Sequence, residues 1–116
     1  MEATFITITG VNYCYGLKPF KVGGVVKLIK DKTNEYDAEA IAVLMPYIEK
    51  VGYVANSPNT TFMGTNSAGR IYDRFDDFAY ARIMIITHSS VIALVLPGEV
   101  NEVCENIFSE EDVIYF

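Results

Sequence analysis

The chain has one histidine, His88, followed directly by Ser89 and Ser90. A nucleophilic Ser-His-Asp arrangement needs an imidazole from one element beside a hydroxyl from another. Neighbours within one short connection do not meet that need, so nothing here recommends a hydrolase. Asp73, Asp76 and Asp77 offer oxygen ligands to a divalent cation, but the spaced acids and glycine of a calcium loop are missing. A solvated acidic turn accounts for them. Cys14 and Cys104 lie 90 positions apart and form no CxxC pair. With one histidine they fall short of a structural zinc site, and they read as two unrelated thiols. Gly64-Thr65-Asn66-Ser67-Ala68-Gly69-Arg70 has the composition of a phosphate-cradling loop, with Arg70 in the first turn of a helix, but lacks the Gly-Lys-Ser/Thr ending of a P-loop. The plainer account is a tight connection where the chain passes close to the body of the fold. These residues call for no catalytic role, no metal and no cofactor.

Charge is distributed unevenly along the 116 residues, which carry a net charge of −6 from 9 basic and 15 acidic side chains. The last twenty residues hold six acids and no base, so the body of the chain is close to neutral. Five lysines, Lys18, Lys21, Lys27, Lys30 and Lys32, fall between positions 18 and 32. They could attract an anion, or simply line the solvated face of a loop and strand. The 8 Tyr and 7 Phe, with 51% hydrophobic residues, make a packed core the expectation rather than disorder. No fully apolar run is longer than the six residues of Val91 to Leu96, far short of the roughly 20 of a spanning helix. No basic-then-apolar leader opens the chain. A soluble cytoplasmic protein is expected.

The elements that must position any site are mostly short strands. Ala3–Val11, Val25–Lys30, Glu39–Met45, Lys50–Val54, Tyr80–Thr87 and Val91–Leu96 combine branched or aromatic residues with flanking turn formers. Val26 and Leu28 face one side of their strand, and Lys27 the other. Gly52 marks a bulge or a close backbone approach. Asn66 or Ser67 caps a short helix running to about Phe75, and Glu99 to Ile107 carries an apolar stripe suited to a second. Val113–Phe116 is a last edge strand or a frayed end. The pattern predicts a mainly β fold with one or two short helices, closed as a small barrel. Residues 1–97 form this domain, and residues 98–116 an acidic extension packed on or flanking it.

Three segments stand out together: Gly10-Val11-Asn12-Tyr13, then Asp31 to Val43 with the core Asn34-Glu35-Tyr36-Asp37-Ala38-Glu39-Ala40-Ile41, then Lys50-Val51-Gly52-Tyr53-Val54. Their order and spacing resemble a HIRAN domain over roughly residues 4–96. That module occurs at the N-terminus of some Swi/Snf-type DNA-repair ATPases and as small free-standing bacterial proteins. The 64–73 segment is similar to the free-standing bacterial branch, and no ATPase motif is present. The resemblance implies a modified OB-like barrel, not an enzyme, that binds single-stranded DNA at its 3′ end.

On that resemblance Tyr13 and Tyr36 match aromatics on which terminal bases stack. Asp37 matches a carboxylate that accepts from the terminal 3′-hydroxyl and repels a 3′-phosphate. Asn34 supports the same end, Tyr53 meets the backbone near it, and Arg70 and Lys18 are candidate replacement cations. Asn12 and Asn56 stand where, or near where, the eukaryotic pattern has basic residues, and Cys14 where it has a second aromatic. Two lost cations would flatten the salt dependence by nearly two units of log–log slope. Taken without the resemblance, Tyr36-Asp37 also fits a plain turn, and Tyr13 and Tyr53 fit the plug of a barrel mouth. The alternative function is a protein-interaction module that has lost most DNA affinity. In it Val113, Ile114, Tyr115 and Phe116 would serve a protein partner or self-association.

Overall fold

The structure is a computed structural model that describes residues 3–46 and 48–106. Its strands are β1 (Thr4–Thr9), β2 (Val25–Lys30), β3 (Ile41–Met45), β4 (Glu49–Val54), β5 (Phe78–Ile86) and β6 (Val91–Val95). They close into one barrel in the order β1-β4-β3-β2-β5-β6, every pair antiparallel. Alternate side chains point inward, as pleated strands dictate. Ile6 and Ile8, Val26 and Leu28, Ile41 and Val43, Ala81 and Ile83, and Val91 and Ala93 are all buried in one core. The helix α1 (Ala68–Ile71) adds Ala68 and Ile71 to that core. No described helix is long and apolar enough to cross a membrane.

Several elements are shorter than their apolar content predicts. β1 ends at Thr9 because Val11–Tyr13 winds into a 3-10 turn. β3 starts at Ile41, not Glu39, because the Ala40 amide closes a turn on the Asp37 carbonyl at 3.2 Å. The helix expected to reach Phe75 stops at Ile71 and passes into a 3-10 turn over Tyr72–Arg74. Gly52 explains both of its expected roles. A Cβ there would lie 2.8 Å from the Thr9 carbonyl oxygen and 2.9 Å from Ile8 Cγ2. Beside it, Val43 and Leu44 pair with Gly52 and Lys50, so Val51 is the extra residue of a bulge.

The β1–β4 seam is short, with only Ile8 opposite Val54 and Thr9 opposite Tyr53. The chain leaving β4 completes it. Ala55 donates to the Thr7 carbonyl at 2.8 Å, and Asn66 returns to donate to the Phe5 carbonyl at 2.7 Å. Thr7 points outward yet is fully buried, because the 57–65 loop lies over it. Its Oγ1 accepts the Phe62 amide at 3.1 Å and sits 2.8 Å from Thr65 Oγ1.

Residues 98–106 form a 3-10 turn (Gly98–Val100) and a helical segment, 101–106, here α2. Cys104 is buried, and Glu105 lies 3.7 Å from Lys27 on the outer face of β2. The same face carries Tyr80, whose hydroxyl is pushed up to about 12 by burial and by the neighbouring Glu105 charge. The expected edge strand over 113–116 lies outside the described residues, as does the rest of the chain after Asn106.

Candidate nucleic-acid interface

Where β4 runs out beside the end of β1, an open cleft of about 470 Å³ is lined by Thr9, Asn34, Tyr36, Asp37, Ala40, Tyr53, Val54, Asn56, Ser57 and Thr60. Five of the residues singled out from sequence, Asn34, Tyr36, Asp37, Tyr53 and Asn56, therefore meet in one place. The β2–β3 connection supplies three of them. Asn34 Oδ1 accepts the backbone amides of Tyr36 and Asp37, each at 2.9 Å, in the manner of an Asx turn. That turn leaves the Tyr36 ring 95% exposed at the cleft edge.

A second layer holds Asn34 itself. Asn34 Nδ2 donates to Asp31 Oδ2 at 3.4 Å, and the Tyr53 hydroxyl donates to the same oxygen at 3.1 Å. Lys50 Nζ donates to the Tyr53 hydroxyl at 2.9 Å and sits 4.7 Å from the centre of that ring. Desolvation alone would raise the Asp31 carboxyl. The bonds donated by Tyr53, Thr33 and Asn34 outweigh it and hold the group below its usual 3.8. The Tyr53 hydrogen bond also holds the Lys50 ammonium above its usual 10.5.

Asn56 ties the other side together. Its Oδ1 accepts the Gly69 amide at 2.8 Å, which turns Nδ2 toward the carboxylates, groups that only accept. Nδ2 lies 3.3 and 3.1 Å from the two oxygens of Asp37 and 3.3 Å from Glu39 Oε1. Asp37 Oδ1 also accepts the Glu39 amide at 2.9 Å. Asp37 Oδ2 is thus the less committed oxygen, with acceptor capacity left for a ligand. Gly69 is small for a reason: a Cβ there would stand 2.7 Å from Glu39 Oε1. The 64–70 segment is the close passage its composition allowed.

The remaining candidates sit apart. Asn12 and Tyr13 are on the 3-10 turn after β1, with Tyr13 93% exposed, and neither lines the cleft. The turn abuts β4, since Val11 packs toward Gly52. Arg70 is exposed on α1 and is not a cleft residue either. Sequence reasoning gave no role to Asp31, Glu39, Thr9 or Thr60, and took Gly69 only as part of the 64–70 connection. The signal for Gly69 was its place inside a helix, where glycine is disfavoured without a packing reason; Asp31 and Glu39 carried none beyond their presence in the matched segment.

Three of the five clustered lysines are engaged elsewhere. Lys27 lies over the Phe78 ring at 4.6 Å, Lys30 over Tyr72 at 4.5 Å while donating to the Phe75 carbonyl, and Lys32 pairs with Asp77 at 2.8 Å. The one charged residue among those lining the cleft is Asp37, while Asp31, Glu39 and Lys50 support lining residues from behind. A larger, mostly apolar cavity of about 780 Å³ lies by the opposite end of β1, between Thr4, Phe75, Phe78 and Leu94. Asp76 and Asp77 of the acidic turn line it, but none of the candidate nucleic-acid-binding residues does. No group of His, Cys, Asp and Glu among the described residues is arranged to hold a metal ion.

The chain is similar in fold to a crystal structure of a protein from Lactobacillus plantarum. The TM-score is 0.56 at 23% identity, covering 81% of this chain and 93% of that one. No match is found among curated proteins. A family model described as HIRAN domain matches residues 1–89, which include all three matched segments, the whole cleft and its supports. The chain belongs to the HIRAN domain family.

Proposed function

We propose that the cleft receives the 3′-hydroxyl end of single-stranded DNA, and that the protein acts by binding alone. Membership of the HIRAN family suggests a nucleic-acid-binding module. The observation that carries the finer reading is the pairing of a 95% exposed Tyr36 ring with the neighbouring Asp37 carboxylate in one open cleft. The ring offers a face to any base, and such stacking tolerates sequence. Asp37 Oδ2 accepts from a hydroxyl, as an ionised carboxylate must. A terminal phosphate in its place would meet the Asp37 carboxylate, and like charges at that range are costly.

The support around these two groups fits a preformed site. Asn34 sets the Tyr36 backbone, and Asn56 fixes the Asp37 carboxylate through two separate elements. A ligand then meets groups that need little ordering. Fluorescence anisotropy with short labelled oligonucleotides tests the proposal. Single strands bind, and Tyr36→Ala weakens all of them by about 1–3 kcal/mol, the worth of one stacked base. Unchanged binding in Tyr36→Ala contradicts the proposal.

A further inference from the structure

The end-binding cleft does not stop at Thr9 and Thr60. Both residues also line a second, smaller cleft of about 300 Å³ that runs on to Asn59, Phe62 and Ser89. The two hollows adjoin at these residues, which puts the second within reach of the nucleotide next to a terminus lying in the first. None of the residues lining the second cleft is charged. Its distinctive group is Phe62, whose side chain is 41% exposed.

Phe62 is exposed but not loose. Its amide donates to Oγ1 of the fully buried Thr7 at 3.1 Å, and its carbonyl accepts both the amide and the hydroxyl of Thr65, at 3.0 and 2.7 Å. On the other side, the Ser57 carbonyl gathers the amides of Thr60 and Thr61, both at 3.0 Å, and their hydroxyls at 3.2 and 2.8 Å. The loop therefore presents an aromatic ring to solvent on a backbone pinned at both sides. This is the form of a stacking platform, which needs a fixed π face and no hydrogen-bond readout.

We infer that this second cleft is a nucleotide subsite in which Phe62 stacks the base on the 5′ side of the terminal one. The inference rests on the end-binding proposal for the first cleft. The ligand is a single strand of nucleic acid, and the subsite contributes by stacking without a cation.

The test compares 5′-thymidine monophosphate, whose 3′-hydroxyl is free, with the thymidylate trinucleotide, both titrated by NMR into the full chain. The trinucleotide binds at least about fivefold tighter, the lower end of one stacked base. Phe62→Ala abolishes that gain and leaves the mononucleotide affinity as it was, while Phe62→Tyr keeps the gain. Melting temperatures confirm that both variants fold. If the mononucleotide binds but the trinucleotide gains nothing, or gains equally in Phe62→Ala, the subsite is refuted and the end-binding proposal stands. An equal loss for both ligands in Phe62→Ala also refutes it, because Phe62 would then act on the first cleft. If neither ligand binds, the end-binding proposal fails and the subsite with it.

Discussion

Two glycines separate structural from functional constraint at single positions. A Cβ on Gly52 meets a backbone carbonyl, Thr9, at 2.8 Å and the core side chain of Ile8 at 2.9 Å, neither of which can withdraw. A Cβ on Gly69 meets the far end of Glu39, which can swing into solvent. Gly52→Ala is predicted to destabilise by more than about 2 kcal/mol, and Gly69→Ala by less than about 1 kcal/mol. Thermal denaturation of the two variants checks this contrast. Asp31 supplies a pH test at the same scale. Its folded value lies below the ordinary 3.8, so its contribution to holding the 31–37 turn is complete above pH 3.8 and is lost as pH falls through the folded value. Removing the Tyr53 hydroxyl with Tyr53→Phe takes away one of the bonds that lower it. The carboxyl titration of Asp31, followed by NMR, should move upward in that variant.

Among the elements, the strands were legible because their apolar residues alternate or run together between turn formers. Val25–Lys30 is recovered at the residues expected. The ends were less legible, because Thr9, Ile71 and Ala40 stop their elements through backbone turns that no side-chain pattern announces. The 57–65 loop completes the short β1–β4 seam through Thr7, a contact that no side-chain pattern announces. Thr7→Val would leave the Phe62 amide and the Thr65 hydroxyl without that buried partner. A loss of about 1–3 kcal/mol is predicted, measured by chemical denaturation. The docking of α2 carries a separate signature. Tyr80 is raised from 10.0 to about 12, first by burial and then by Glu105. Its neutral form stabilises the fold fully below pH 10, and that contribution is lost as pH rises toward 12. The decline should reach about 2–3 kcal/mol and vanish in Tyr80→Phe, as seen in denaturation midpoints across that range.

At the scale of the whole molecule, the barrel brings three stretches far apart in sequence to one cleft: the end of β1 at Thr9, the turn from Asn34 to Ala40, and the chain from Tyr53 to Thr60. Resemblance pointed to Asn34, Tyr36, Asp37, Tyr53 and Asn56 because their types and spacing survive in the chain. It did not reveal that Tyr13 and Arg70 stand outside the cleft, since the turn after β1 and the exit of α1 are settled by tertiary packing. Charge follows the same division. The net charge is −6, and none of the residues lining the cleft is a lysine or arginine. Binding should therefore weaken only gently with salt, with a log–log slope smaller in magnitude than about 2. The most direct test of the central claim compares oligonucleotides identical except for a 3′-hydroxyl or a 3′-phosphate, with the native chain and with Asp37→Ala. The account predicts tighter binding of the hydroxyl end by the native chain and no preference in Asp37→Ala. Equal affinity of the native chain for both ends, or a preference that survives in Asp37→Ala, would contradict it.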